Sequence, residues 1–179
     1  SFNNPFGMCP ECNGLGFHKE IDPERVLPNY DLSVEQGGVD AYSTAKEGTY
    51  YYEIIRALGE KHHFSMDKPL AEAPPEFIQE LLYGTGKEEL KFVFNSHYSG
   101  RKTYTGTFEG IVENLTRRYR TGSDATHDRI EEYMAEIECP LCHGARLRQE
   151  YLAVRIEDKN IYEVTELSTY HCLKWFEQL

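Results

Sequence analysis

Two short cysteine motifs, far apart in the chain, constrain its fold more than any other sequence feature. Residues 9–14 and residues 139–144 both read C-P-x-C-x-G. The C-x₂-C spacing lets two thiolates of one turn face the same ion, and two such turns complete a tetrahedral Cys₄ zinc site. The glycine allows the backbone to leave each turn at positive φ. We therefore predict a structural Zn²⁺ bound by Cys9, Cys12, Cys139 and Cys142.

Two other uses of these cysteines remain open at this point. C-x-x-C pairs also act as redox centres in thioredoxin-like proteins, and buried cysteines can pack in a core without any ligand. Both motifs repeat the same proline and the same glycine, which favours one shared metal over two independent redox pairs. The fifth cysteine, Cys172, stands alone at helical spacing from apolar residues, so we expect it to be a packed thiol.

The interval between the motifs is unusually long for a zinc site. It places 126 residues between Cys12 and Cys139, and closing a loop of that length costs on the order of 4 kcal/mol. A structural zinc site supplies about 10–16 kcal/mol in small peptides, so the metal can close the loop. We therefore predict an inserted domain, residues 13–138, on a zinc stem formed by residues 1–12 and 139–179.

Composition places the chain among globular proteins of a reducing compartment. Hydrophobic residues make up 40% of it, and aromatic residues 13%, which argues against disorder. The sequence has no long apolar run and no basic-then-apolar leader at its start, so we expect a soluble, cytoplasmic protein without a membrane partner. Cysteines in such a compartment bind metals more often than they form disulfides.

The net charge of −11 argues against nucleic acid as a partner, but the charge is unevenly distributed. Residues 87–120 carry seven basic and four acidic side chains, the one cationic excess in the chain. If the chain contacts DNA, we expect it to bind phosphates rather than bases, because no recognition helix is evident. The candidate contacts are Arg101, Lys102, Arg117, Arg118 and Arg120. For the last three the helix dipole offers a simpler interpretation, because cations near the C-terminal end of a helix interact favourably with it.

Apolar periodicity predicts an α+β fold, a small mixed domain of helices and a short antiparallel hairpin inserted through the Cys₄ stem. Residues 17–21 are expected to form a strand, and residues 49–63 and 74–84 to form helices. Alternating apolar residues predict a hairpin over 90–108, with its turn at 96–100, and a helix follows over 110–120.

The periodicity of the remaining chain is weaker. A helix is predicted from Ser123 or Asp124 through Ile137, leading directly into the second cysteine motif. Beyond that motif we expect a strand over 151–157 and a turn at 158–160. A last helix capped by Ser168 is expected to bury Cys172, Leu173 and Phe176.

Enzymatic motifs are missing or incomplete. Residues 83–88 resemble a P-loop, but Leu81 stands where its first glycine should be, and Glu88 where Ser or Thr should follow the lysine. The pair His62 and His63 has no third ligand nearby in sequence, and we interpret it as a half-buried helix end. A closed Cys₄ site leaves no coordination position for water, so we expect no catalysis from the metal.

The chain resembles the UvrA family of bacterial nucleotide excision repair. The resemblance rests on residues 2–16 and 139–148, which contain the two cysteine motifs, and it continues in the segments 108–110, 117–119, 152–154 and 161–168. In that family, paired CPxC modules set off an insertion domain from the first half of a dimeric ABC-type ATPase. The resemblance implies that 13–138 is this insertion domain and that 139–179 includes part of the adjoining helical ATPase region.

The resemblance also implies partners and limits. Damaged double-stranded DNA, UvrB and a second UvrA protomer are the partners of the full-length protein, and ATP is its cofactor. This chain contains no Walker A, Walker B or ABC signature, so we expect it to be no enzyme and to bind no ATP. We expect it to help clamp or inspect damaged DNA. The alternative is a zinc-stabilised protein-interaction module that contacts UvrB, the other protomer or another protein.

Overall fold

The structure is a computed structural model that describes Phe2 and residues 4–96 and 100–179. The chain divides into two compact units. Unit 1 comprises Ser1–Lys19 with Glu136–Leu179, and unit 2 comprises Glu20–Ala135. No helix in the described ranges is long and apolar enough to cross a membrane.

Helices and three two-stranded sheets occur along the described chain, which confirms the predicted α+β class. The sheets pair β1 with β4, β2 with β3, and β5 with β6. Two 3₁₀ turns, Asp40–Tyr42 and Leu70–Glu72, lie in the long connections of unit 2. In chain order the elements are β1 (Phe17–Ile21), α1 (Pro23–Val26), α2 (Tyr50–Lys61), α3 (Pro75–Tyr83), β2 (Glu89–Ser96), β3 (Gly100–Thr107), α4 (Ile111–Thr121), α5 (Asp124–Glu131), β4 (Met134–Glu138), α6 (Gln149–Leu152), β5 (Arg155–Ile156), β6 (Lys159–Asn160), α7 (Ile161–Thr165) and α8 (Thr169–Phe176).

The core of unit 2 forms where α2 and α3 pack together and α2 covers the β2–β3 hairpin. Ile54 and Leu58 of α2 are four residues apart on one helix face, and both are fully buried. Phe77 of α3 is fully buried as well. Phe92 of β2 pairs with Tyr104 of β3, which confirms the predicted hairpin. Its predicted turn at 96–100 includes residues 97–99, which lie outside the described part of the chain.

A close backbone approach connects the end of α3 to the start of α4. Gly84 and Gly110 have φ of +90° and +84°, and a Cβ on either would come within 2.6 Å of backbone atoms across the gap. The Thr85 N–H donates to the Phe108 carbonyl at 2.9 Å, and the Phe108 N–H donates to the Thr85 hydroxyl at 3.0 Å. These bonds fix where α4 begins, and they thereby position its arginines.

The helix predicted to run through Ile137 is wrong in its second half. Helix α5 ends at Glu131, and Met134–Glu138 forms β4, the partner of β1. The spacing of Met134 and Ile137 fits one helix face, but residues three apart in a strand point to opposite sides. Met134 is indeed buried, whereas Ile137 is 46% exposed.

The last forty residues also differ from the predictions. The strand expected over 151–157 is reduced to β5, because α6 takes up Tyr151 and Leu152. The tight turn of the β5–β6 hairpin is at 157–158 rather than 158–160. Ser168 does cap α8, accepting a hydrogen bond from the His171 N–H. The burial predicted for this helix is wrong, because Leu173 and Phe176 are more than half exposed and Cys172 is half-buried.

Candidate metal centre and candidate DNA contacts

The two cysteine motifs meet in one buried cluster within unit 1. The four Sγ atoms lie within 4.8 Å of one another. Cys9 and Cys139 are 3.9 Å apart at sulfur, and Cys12 and Cys142 are 3.7 Å apart. A disulfide needs about 2.05 Å, whereas a tetrahedral ion with 2.3 Å bonds to sulfur has sulfur–sulfur edges of about 3.8 Å. The four cysteines could therefore hold a metal ion, and their spacing fits zinc.

The backbone of each motif turns in the same way. Gly14 and Gly144 both have φ of +80°, and the residues before them, Asn13 and His143, also have positive φ. Two successive residues of positive φ fold the chain back after the second cysteine of each pair, and in the first motif this brings the Gly16 N–H to Cys12 Sγ. The positive φ of both glycines agrees with the prediction made from the motif.

Equivalent hydrogen bonds join the two turns. The Cys9 N–H donates to the Arg146 carbonyl, and the Cys139 N–H donates to the Gly16 carbonyl, both at 2.9 Å. The Gly16 N–H in turn donates to Cys12 Sγ at 3.1 Å. The two motifs therefore bind each other through their backbones as well as through any shared ion, with a nearly twofold pattern.

The electrostatics of the cluster favour a cation. Burial by itself would raise the pKa of the Cys12 thiol, but donation from the Gly16 N–H and from neighbouring thiols lowers it to about 7. The pKa of Cys139 is also lowered, because backbone N–H groups of its own turn outweigh burial. Burial and its thiol neighbours raise the pKa of Cys142 to about 12. Four thiolates at this distance repel one another, so full ionisation needs a positive ion among them.

Two histidines near the cluster were missed by the sequence reasoning. His18 lies beside Cys139 and helps to lower the pKa of its thiol. His143 follows Cys142 directly, and its Nδ1 lies 3.4 Å from a Glu138 oxygen. Their positions within a few residues of each motif are the only sequence signal for this placement. His62 lies outside the cluster and contacts Glu80 at 2.8 Å, while Cys172 is not part of it among the described residues.

The candidate DNA contacts lie on two elements of unit 2. Arg101 and Lys102 are exposed on β3, beside the hairpin turn. On α4, Arg117 is held by the Glu109 carboxylate through contacts of 2.7 and 3.1 Å, so its charge is countered. Arg118 is half-buried and Arg120 is exposed in the last turn of the same helix.

An α+β unit enclosed in sequence by two halves of a potential four-cysteine metal centre is the class of domain that these observations define. Residues 22–132 match the family model described as the UvrA DNA-binding domain. The chain therefore belongs to the UvrA DNA-binding domain family.

Whole-chain relatives agree with this assignment. The chain is 37% identical to UvrABC system protein A of Bacillus subtilis over 180 residues, covering 100% of this chain and 19% of that protein. The corresponding protein of Mesorhizobium japonicum is 40% identical, with 100% and 18% covered. The crystal structure of UvrA2 from Deinococcus radiodurans matches 99% of the chain and 22% of its own with a TM-score of 0.68 at 27% identity. The chain thus spans about a fifth of the length of the curated relatives it matches.

Proposed function

We propose that this chain is a non-catalytic DNA-binding insertion domain of a UvrA-type damage-recognition ATPase, which helps to clamp or inspect damaged duplex DNA. The observation that carries the proposal is a coincidence of boundaries. The family's DNA-binding model spans residues 22–132, and the compact unit of the structure spans Glu20–Ala135. The insertion domain of residues 13–138, on a stem of residues 1–12 and 139–179, is part of this proposal.

The cysteine cluster is proposed to bind one structural Zn²⁺ through Cys9, Cys12, Cys139 and Cys142. Zinc would supply a fixed tetrahedral bond set between the two turns. All four positions would be taken by thiolates, so no water could be activated there. The residues around it hold the turns in register, and Gly16 N–H neutralises part of the charge on Cys12.

ATP hydrolysis, dimerisation and transfer of lesions to UvrB are proposed to belong to other parts of the whole protein, in the cytoplasm. The phosphate-cradling glycine loop needed for ATP is incomplete at residues 81–88. The isolated chain should therefore give no binding heat with ATP in calorimetry. Micromolar ATP binding would contradict the non-catalytic part of the proposal.

DNA contact is proposed through phosphates at Arg101, Lys102, Arg117, Arg118 and Arg120. The Glu109 carboxylate already engages Arg117, so four of the five cations are available. Four phosphate contacts predict a slope of about −3.6 for log K against log salt. Binding by the isolated chain should be weak, because the net charge of −11 repels the same polyanion.

The test is charge removal on the hairpin. Replacing Arg101→Gln together with Lys102→Gln should flatten the salt slope by about 2, since each lost phosphate contact removes about one unit. Lys68→Gln with Lys174→Gln removes the same charge from exposed positions outside the proposed contacts and should leave the slope unchanged. Fluorescence anisotropy of a labelled 20-base-pair duplex between low and moderate salt gives both values. A chain that shows no duplex binding at the lowest salt would contradict the proposal.

The second candidate function is a protein-interaction module for UvrB, the other protomer or another protein. The observation that favours it is the acidic balance of the chain, −11 at pH 7. Docking of a protein surface does not release condensed counterions from DNA. Duplex binding that is absent while UvrB or a second protomer is bound would favour this candidate.

A further inference from the structure

Unit 2 contains a cavity of about 480 Å³, and Arg118 alone of the five DNA contacts predicted from sequence lines it. It lies between the loop that contains the 3₁₀ turn Asp40–Tyr42 and the helices α4 and α5. Its floor is apolar, since Tyr42, Leu115 and Ile130 are buried there. Its rim is polar and open to solvent. The cavity is therefore a shaped, accessible site rather than a gap in the core.

Two arginines from different helices line this cavity. Arg118 comes from α4 and Arg129 from α5. Within the described part of the chain, neither side chain makes an ion pair or a hydrogen bond, in contrast to Arg117, which Glu109 holds. Both guanidinium groups therefore remain available to an anion that enters the cavity. Guanidinium groups suit phosphate oxygens because they donate in a planar fork.

Hydroxyl groups complete the donor set. Ser43 and Thr44, which follow the 3₁₀ turn in the loop, are exposed and also line the cavity, and their hydroxyls make no hydrogen bond among the residues that the structure describes. A hydroxyl can donate to a phosphate oxygen. The cavity thus offers charged donors on the helix side and neutral donors on the loop side, which is an arrangement suited to a tetrahedral oxyanion.

One carboxylate sets the charge that the cavity can take. Asp40 also lines the cavity, and its Oδ2 accepts a hydrogen bond from the Tyr133 hydroxyl at 2.8 Å. Burial and this carboxylate raise the pKa of Tyr133 to about 12, so the hydroxyl stays a donor at neutral pH. Two arginines and one aspartate leave a local charge of +1. That charge matches a phosphodiester, which carries one negative charge, better than a free phosphate of nearly two.

We propose that Arg118 and Arg129, with the Ser43 and Thr44 hydroxyls, bind one backbone phosphodiester of duplex DNA. The proposal rests on the DNA-binding function proposed above and adds to it a site and a residue, Arg129. In this site Arg118 contacts DNA as part of a pair across two helices rather than with Arg117 and Arg120 as a cluster at one helix end. Asp40 weakens the site for anions of higher charge.

The principal test is removal of the second arginine. Arg129→Gln should weaken duplex binding by the zinc-loaded chain about tenfold, the expected loss for one charge-assisted hydrogen-bonding group. It should flatten the salt slope by less than about 1, because Arg118 still contacts the same phosphate. Lys68→Gln, which removes one exposed charge elsewhere in unit 2, should change neither value. Arg129 is exposed, so its replacement should not disturb folding. Arg118→Gln should give the same loss, and circular dichroism checks that it folds.

A second variant tests the same site with both arginines in place, and it should strengthen duplex binding rather than weaken it. Asp40→Asn removes the opposing charge while its side-chain oxygen can still accept from the Tyr133 hydroxyl. Duplex affinity should therefore increase several-fold. Unchanged or weaker binding would overturn the role given to the cavity.

Three probes identify the ligand. A duplex with neutral methylphosphonate linkages should lose the contribution of Arg129, and the Nε–H resonances of Arg118 and Arg129 should shift with the normal duplex. Inorganic phosphate at the same concentration should not shift them; if it does, the cavity takes free phosphate and the proposal is wrong. If the Arg129→Gln variant binds duplex normally while the Arg101→Gln, Lys102→Gln variant does not, the cavity site is wrong but the proposed DNA-binding function is supported. If the wild-type chain binds no duplex, both the cavity site and the DNA-binding function are wrong.

Discussion

At the scale of single residues, Gly14 and Gly144 hold equivalent places in the two cysteine turns, but their surroundings differ. Both have φ of +80°, which costs an L-residue about 1 kcal/mol or more. A Cβ at Gly14 would also lie 2.1 Å from the Phe2 carbonyl oxygen, whereas at Gly144 the nearest atom is the Tyr162 hydroxyl at 3.4 Å. The first turn is therefore packed against backbone, and the second is not.

This difference predicts unequal effects of one substitution. Gly144→Ala should cost about 1 kcal/mol, from backbone strain alone. Gly14→Ala should cost clearly more, because the backbone near Phe2 must also move. Thermal unfolding of the zinc-loaded chain, followed by circular dichroism, compares the two. Equal losses would show that the close approach of Phe2 does not persist in solution.

The cysteines themselves give a second prediction at this scale. The wild-type chain should contain one zinc, and Cys12→Ser or Cys142→Ser should abolish stoichiometric binding, because a serine hydroxyl replaces a thiolate ligand. Cys172→Ser is the matched control, since Cys172 lies outside the cluster. Metal analysis with thiol titration measures both. A folded, zinc-free wild-type chain with four freely reactive thiols would contradict the zinc assignment.

At the scale of elements, a network of charges joins the C-terminal end of α2 to α3. Lys61 Nζ lies 2.8 Å from both Glu80 oxygens and 2.6 Å from Glu88, and His62 Nε2 lies 2.8 Å from Glu80. Burial would raise the pKa of Glu80, but hydrogen bonds with Lys61 and His62 lower it below its usual value of 4.5. The ionised carboxylate therefore stabilises the contact between the two helices.

The direction of this shift fixes a pH dependence. A folded-state pKa below the unfolded value gives stability that is present above about pH 4.5 and lost as pH falls through the folded pKa. Glu80→Gln should therefore lower the free energy of unfolding by about 1–2 kcal/mol at pH 7, and this loss should shrink as the pH falls below 4.5 and Glu80 is protonated. Urea unfolding at pH 7 and at a series of acidic pH values measures this. Glu72→Gln, an exposed control, should show no such difference, and a constant loss for Glu80→Gln would exclude the charge as its cause.

Elements were predictable from sequence where local periodicity agreed with the final packing. Helices α2 and α3 lie within the predicted ranges, because their apolar residues repeat at the helical period. Strand β1 also has its predicted bounds, although its apolar residues Phe17 and Ile21 are four apart and do not alternate. Strand β4 was not predictable in this way, since its partner β1 lies more than a hundred residues earlier. The spacing of Met134 and Ile137 fits a helix, but pairing with the distant strand β1 makes this segment a strand.

The candidate sites divide in the same way. The C-P-x-C-x-G motif is local and repeated, so it predicts that the four thiols come together, which the geometry bears out; the bound zinc stays a prediction. Arg129 and His18 had no comparable signal. Arg129 shares a cavity with Arg118 only because α5 folds against α4, and that contact is a property of the tertiary fold.

At the scale of the whole molecule, unit 2 has a core of its own. Ile54, Leu58, Phe77, Leu81 and Ile111 are fully buried in a cluster separate from the cysteine cluster. Burial of this kind stabilises a unit without any metal, at about 25 cal/mol per Å² of apolar surface. Unit 1 has few buried residues beyond the cysteines and their immediate neighbours.

Metal removal should therefore affect the two units differently. A strong chelator should open the turns at Cys9 and Cys139 and speed amide exchange in residues 136–148, while peptides from α2 and α4 keep their protection. Hydrogen exchange read by mass spectrometry measures both in one sample. Uniform loss of protection across the chain would show that unit 2 depends on the metal, contrary to the separation of the two clusters.

The separation of Cys9 and Cys139 by 130 positions also has a consequence during synthesis. Translation at about 5–20 residues per second makes the first two thiols wait roughly 6–26 s for the other two. All of unit 2 is made in that interval, so it can fold before a complete metal site exists. Until then Cys9 and Cys12 form only half of a binding site, and this is when oxidants can reach them most easily. Ligation of the fourth sulfur therefore completes the metal site, and it protects cysteines that were made about 130 residues earlier.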